Sequence, residues 1–235
     1  MLGVLGGLGP AASNYFMERL TALRGAKIDQ EHPDVLLYSR ASTPDRTSFL
    51  TGTSAVSPLP ALLDSIERLN RAGAEVLAMP CVTAHHFFSE LSEASGGKLI
   101  NMLEETASLL RNEGVRRAGL LATTGSLQSG AFEKVLYKAG IDVLVPDRET
   151  QSRLMDLIYA VKSGKMPRTS ILEQFGARLS AQGAQRVILG CTELSLYTSK
   201  LDSMCFVDTI EVLAARALEL CIGKPVHIYN VPRGN

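Results

Sequence analysis

The chain has 235 residues, enough for one large or two small domains of about 100–150 residues each. Its 24 basic and 24 acidic residues cancel, so no overall field favours nucleic acid or an anionic membrane as a partner. A small anionic ligand would have to be met by locally placed cations.

The apolar start, Met1–Gly7, lacks a positive leader and a cleavage-type site, so it does not read as a signal peptide. No apolar run approaches the roughly 18 residues that a membrane helix needs. A soluble, cytoplasmic protein is therefore expected. In that reducing compartment Cys81, Cys191, Cys205 and Cys221 stay free, as core filler, metal ligands or catalysts.

Taken in chain order, short β-branched runs alternate with longer amphipathic stretches. Leu2–Leu5 reads as a strand ended by glycines, Ala11–Arg24 as a helix, Val35–Tyr38 as a strand, Leu59–Arg71 as a helix and Val76–Met79 as a buried strand. The second half gives a strand at Ala118–Ala122, a helix at Ser129–Ala139 and a strand at Val143–Val145. Helices at Arg153–Val161 and Ile171–Ala181 and a strand at Val187–Leu189 follow. This order predicts an α/β fold of parallel sheets covered by helices on both faces.

The chain also repeats itself. Gly73-Ala-Glu-Val-Leu-Ala-Met-Pro-Cys81 aligns without gaps on Gly183-Ala-Gln-Arg-Val-Ile-Leu-Gly-Cys191, and Gly3–Pro10 is echoed by Gly119–Leu127. Two pseudo-symmetric lobes are expected, one over residues 1–102 plus 208–235 carrying Cys81 and one over 103–207 carrying Cys191. No Gly/Pro/Ser linker separates them, so they should pack closely. In open parallel sheets ligands bind beyond the carboxyl ends of the strands. Both cysteines follow a predicted strand, so two facing lobes would bring their thiols to one cleft.

Inverting a carbon that carries an acidic hydrogen requires removal on one face and return on the other. A thiolate and a thiol on opposite sides do this without movement and exchange roles with the hand of the ligand. An ordinary thiol is mostly protonated, but a helix N-terminus or a cation lowers its pKa. Thr83 and Thr192 read as first-turn or capping residues of helices that would supply such a field.

Five segments carry a resemblance. Gly6-Gly-Leu-Gly-Pro10, Ser42-Thr-Pro-Asp-Arg-Thr47, Pro80-Cys-Val-Thr-Ala-His85, Ile158-Tyr-Ala-Val-Lys-Ser-Gly164 and Leu189-Gly-Cys-Thr-Glu-Leu194 resemble, in order, segments of the aspartate/glutamate racemase family. The resemblance implies cofactor-independent racemisation of a small acidic amino acid, aspartate or glutamate, at a site between two α/β lobes. It also implies no pyridoxal phosphate, no metal and a homodimer. Cys81 and Cys191 would be the catalytic pair, and Arg46 with Lys162 would hold the distal carboxylate, Lys165 being a rival for the second cation. Backbone and hydroxyl groups around Val82, Thr83, Ala84 and Thr192 would hold the α-carboxylate, and Thr123 and Ser126 would line the cleft. Val82 departs from the pattern, since the family usually has Asn there. That change leaves open a narrowed specificity, a less polar substrate or lower activity.

Other readings of the same residues stand beside this one. Buried cysteines are commonly inert, and Cys205, in a strand-like run, and Cys221, on a helix face, are read so. The glycine-rich turn lacks the spacing of a nucleotide loop and reads as a tight turn with Pro10 opening a helix. His85 and His86 near Cys81 lack a second Cys/His pair at zinc spacing, so a histidine that caps or lines the cleft is the expectation. A two-cysteine relative acting on another carbon acid, such as a hydantoin racemase, maleate isomerase or malonate decarboxylase, and a non-catalytic sensor that keeps the cleft are the competing functions.

Overall fold

Leu2–Gly6 forms β1, a strand whose five residues are all buried, as expected for one covered on both faces. Pro10 sits in the first turn of α1 (Pro10–Arg24), where its missing N–H costs nothing, and left-handed Gly25 ends the helix. There follow β2 (Val35–Ser39), α2 (Arg46–Leu50), α3 (Leu59–Arg71), β3 (Val76–Ala78), α4 (Phe88–Ala94) and α5 (Met102–Asn112). The second half holds β4 (Arg117–Ala122), α6 (Thr124–Ser129), α7 (Ala131–Lys138), β5 (Asp142–Leu144) and α8 (Arg148–Lys162). It ends with α9 (Ser170–Ala181), β6 (Arg186–Gly190), β7 (Phe206–Asp208) and α10 (Thr209–Ile222). The structure is a computed structural model and describes residues 1–166, 168–201 and 205–228.

All strand pairs are parallel, in two sheets of order β2-β1-β3 and β5-β4-β6-β7. The expected class, α/β with parallel sheets flanked by helices, is what is found. The internal repeat is topological as well as sequential. In each half the first strand is central, the second pairs on one side and the cysteine-bearing third on the other. Even β7 has a counterpart: Val187 pairs with Phe206, and Leu77, its equivalent in the repeat, makes an isolated parallel bridge to Leu99.

Each half then exports a helix. Asn101 caps α5 by accepting from Leu103 and Glu104, and Asp208 caps α10 by accepting from Ile210. Yet α5 packs on α7 of the second half, α10 packs on α1 and β3 of the first, and the two helices pack on each other. Between α1 and α10, Arg19 meets Glu211 at 2.6 Å with both side chains almost fully buried.

Several boundaries differ from the sequence reading for local reasons. The helix expected at Ser129–Ala139 is α7, which starts only after Gly130, whose left-handed conformation with φ 62° also ends the preceding α6. Helix α8 begins at Arg148, ahead of the expected start, because the Asp147 carboxylate accepts from the Thr150 amide at 2.7 Å. The short α2 and α4, and the longer α5, carried no periodicity that the sequence reading used.

Removing one partner of a buried ion pair strands the other charge, at a cost of about 3–5 kcal/mol. Arg19→Met is expected to lower unfolding free energy by that amount in urea titrations, and Arg19→Met with Glu211→Leu to regain most of it.

Candidate active site

Strand β3 ends at Ala78, and Met79 and Pro80 carry the chain over the sheet rim to Cys81; Cys191 follows Gly190, the last residue of β6, directly. Both thiols are buried and line one tight cavity. The first half contributes Leu8, Asp45, Arg46, Thr47, Cys81, Val82 and Thr83; the second contributes Thr123, Lys162, Cys191, Thr192 and Glu193. Of the residues singled out by sequence, Ala84 and Ser126 do not line this space: Ala84 is packed in the core, and Ser126 stands one layer behind Thr83. Lys165 is exposed and is not part of the wall, whereas Lys162 is.

The two halves meet closely here. A Cβ built on Gly125 would lie 2.8 Å from Thr47 Cα, so only glycine permits α6 to approach α2 as it does. Beside this contact, three buried hydroxyls form a ring across the junction. Thr83 Oγ1 is 3.1 Å from Thr123 Oγ1 and 2.9 Å from Ser126 Oγ, and the latter two are 3.0 Å apart.

The cations are held rather than loose. The Arg46 guanidinium donates to the carbonyls of Leu8, Thr43 and Pro44, while its buried Nε has no hydrogen-bond partner among the described residues. Lys162 Nζ lies 3.6 Å from the Asp45 carboxylate. Burial works to lower the Lys162 pKa, but Glu193, Cys191 and Asp45 outweigh it and hold it above the ordinary lysine value. Burial likewise works to raise the Asp45 carboxyl, and the Ser48 amide with Lys162 outweighs it, so Asp45 stays below its ordinary value. Two cations and two carboxylates thus face one small space.

Glu193 was quoted in a motif but given no role by sequence reasoning. Its Oε2 accepts the Cys191 S–H at 3.0 Å. The expectation that helix starts lower both thiols is corrected at this position. After Cys81 a 3-10 turn, Thr83–Phe87, runs directly into α4, with Thr83 in its first turn but capping nothing, and after Cys191 comes the 3-10 turn Leu194–Lys200. Burial and the Glu193 charge push the Cys191 thiol well above the ordinary range, with Lys162 opposing. The sequence offers only a carboxylate two residues beyond a strand-end cysteine, a spacing that does not by itself turn both groups inward.

His85 does not line the cavity. Its Nδ1–H donates to the Cys81 carbonyl at 2.8 Å, and its Nε2 accepts from the Met102 amide at 3.2 Å, which specifies one neutral tautomer. It ties the cysteine turn to the start of α5. Among the described residues no three His, Cys, Asp or Glu side chains cluster as metal ligands would, and no helix is long and apolar enough to cross a membrane.

Fold and site together define a two-lobed parallel α/β protein with paired thiols and both signs of charge at the junction. The sequence profile of the Asp/Glu/hydantoin racemase family matches residues 5–217, and the chain belongs to that family. It is similar to a broad-specificity amino-acid racemase of Bacillus subtilis (strain 168), 28% identical over 220 residues covering 91% of this chain and 95% of the relative. Its fold is similar to that of the Picrophilus torridus aspartate racemase, with a TM-score of 0.84, 28% identity and coverage of 98% and 99% of the two chains. An aspartate racemase homologue from Pyrococcus horikoshii OT3, 23% identical, shares the fold at a TM-score of 0.75 over 94% of this chain and 98% of that one. The protein is accordingly an isomerase of the amino-acid racemase class, and independence from pyridoxal phosphate fits that family.

Burial holds His85 neutral down to a pKa of about 4, against an ordinary 6.5. The unfolded chain takes up a proton near 6.5 that the folded chain refuses until about 4, so acid favours unfolding across that window, by about 3 kcal/mol in all. Urea titrations between neutral pH and pH 4 should show this loss. In His85→Gln the part of the acid sensitivity due to this group should be absent.

Proposed function

We propose that this protein racemises a small acidic amino acid, aspartate in the first place, by passing the α-hydrogen between Cys81 and Cys191. The observation that carries the reading is that both thiols, one from each half of the repeat, open into the same buried cavity together with Arg46 and Lys162. In the productive form one sulfur is thiolate and the other thiol. The thiolate removes the α-hydrogen from one face, leaving a planar carbanion, and the thiol donates its hydrogen to the other face. The substrate leaves inverted and the two sulfurs have exchanged states.

An α-hydrogen is far less acidic than a thiol, so the site must stabilise the planar intermediate. In this reading the α-carboxylate lies among Thr83, Thr123 and Thr192, displacing hydroxyl–hydroxyl bonds of the ring, with Ala84 and Ser126 supporting that wall. The distal carboxylate takes the unpartnered Arg46 Nε–H and an N–H of Lys162. Burial of the thiols and hydroxyls keeps water from competing for these bonds. A homodimer working in the cytoplasm belongs to the same reading, rests on the motif likeness, and is checked by sedimentation and cell fractionation.

A second reading, a racemase for less polar amino acids, is favoured by Val82. It presents an apolar wall beside Cys81 where the family usually has an amide, and the Bacillus relative is named for broad specificity. Rates on aspartate, glutamate, alanine and methionine, measured side by side, separate the two.

In heavy water, aspartate is expected to exchange its α-hydrogen and invert without any added cofactor. Cys81→Ala and Cys191→Ala should each lower inversion by about 10²–10⁴-fold, while each keeps slow exchange, without inversion, of the one enantiomer whose hydrogen faces the remaining thiol. Absence of exchange with every amino acid tried would overturn the reading. Lys162→Met is expected to raise KM for aspartate at least tenfold, in line with loss of a charged hydrogen bond of about 1.5–3 kcal/mol, and to change KM for alanine much less.

A further inference from the structure

The two thiols are alike in the repeat but not in their surroundings. Cys191 donates its S–H to Glu193, two residues along its own turn, at 3.0 Å. The other oxygen of that carboxylate, Oε1, is buried and has no hydrogen-bond partner among the described residues. It points at Gly9, whose Cα it approaches so nearly that any Cβ there would collide with it. Gly9 belongs to a second, open groove on the other side of the cavity wall, and Glu193 is among the residues around that groove as well as the cavity. One carboxylate therefore touches a reacting sulfur with one oxygen and, with the other, lies buried against Gly9, the backbone that separates it from the groove. At the corresponding place after Cys81 stands Thr83, which cannot take up a proton and is engaged in the hydroxyl ring.

We infer that Glu193 governs the proton of Cys191, keeping that thiol protonated between turnovers and returning a proton to it after each one. The inference rests on the two-thiol reading. Cys81 is then the base that opens each catalytic cycle, and the resting enzyme is set for one hand of the substrate. After that hand has been inverted, Cys191 is a thiolate and Cys81 a thiol. To restore the resting form, the Glu193 carboxylate takes up a proton from the solvent that enters as the product leaves, and the same carboxyl delivers a proton to the Cys191 sulfur. Cys81 releases the hydrogen it gained to solvent once the product has gone, so charge and protons balance over the cycle.

The charged and titratable groups that face this pair are Lys162 and Tyr159 from α8, Asp45 and Arg46 at the start of α2, and Cys81 from the end of β3. Lys162 is the one placed to oppose Glu193, because its charge favours the Cys191 thiolate. Glu193 is thus a positioning and relay residue that acts through Cys191.

The test uses a chain in which Cys191 is the sole cysteine (Cys81→Ser, Cys205→Ala, Cys221→Ala), titrated by the ultraviolet absorbance of its thiolate. With Glu193→Gln, close to isosteric, the thiolate fraction at neutral pH should rise about tenfold or more; with Lys162→Met it should fall. In the otherwise intact enzyme, Glu193→Gln should lower kcat about tenfold or more while kcat/KM falls less, because the slowed step is the return of the free enzyme. An unmoved Cys191 titration in Glu193→Gln, or kcat and kcat/KM falling together, overturns the inference. Folding of each variant is checked by circular dichroism, and the opposite sign expected for Lys162→Met gives an answer even if one variant fails to fold. A shifted titration in a protein that exchanges no α-hydrogen at all would retire the racemase reading and leave the coupling of Glu193 to Cys191 standing.

Discussion

Parallel strands deliver their carboxyl ends, and whatever residue comes next, to one rim of a sheet. In this protein two such sheets, built on the same strand order, turn those rims toward each other, and each rim carries a cysteine. The facing arrangement depends on close approach at the junction. Gly125 lets α6 sit against Thr47, and three hydroxyls from both halves satisfy one another where no water reaches them. A side chain larger than hydrogen at Gly125, or an apolar group in the ring, would press the rims apart or leave buried polar atoms unpaired.

The charges at the junction are held by groups of the protein itself. Arg46 lends its guanidinium to backbone carbonyls, and Lys162 leans on Asp45. Glu193 accepts from a thiol. Among the described residues lining the cavity, the Nε–H of Arg46 is a buried donor without a partner, while the free oxygen of Glu193 is turned toward Gly9. A carboxylate is the complement of that donor. Unpaired buried groups are costly, and such a site recovers that cost when a ligand supplies the partners.

The exchange of helices between halves gives the junction a second, deeper anchor. Since α5 leaves the first half to pack on the second, and α10 does the reverse, the lobes are tied behind the cavity as well as in front of it. The buried Arg19–Glu211 pair fastens α10 to α1, the helix that begins at the glycine turn beside Glu193. His85 ties the Cys81 turn to the first residue of α5. The site is therefore held by the same elements that hold the lobes together.

Much of this was legible in the chain itself. Fully apolar strands alternating with amphipathic helices are a local signal, because burial on both faces leaves no room for polar residues, and the gapless repeat ending in Cys81 and Cys191 placed both thiols at strand ends. Local chemistry likewise marked Pro10 as a helix start, whereas Arg46 and Lys162 stood out only through the motif likeness, since a lone cation on a loop or helix is ordinarily solvated. Other features belong only to the tertiary structure. The role of Glu193 depends on a turn that bends the carboxylate back to the sulfur two residues before it, which no spacing rule conveys. The raised Cys191 thiol depends on burial and on a neighbouring charge, which are properties of surroundings assembled from distant segments. Whether a histidine lines a cleft or braces a backbone depends on what the other elements bring to its two nitrogens. Sequence periodicity records which face of each element avoids water; it does not record which buried polar atoms meet, and at this site that meeting distinguishes one thiol from the other.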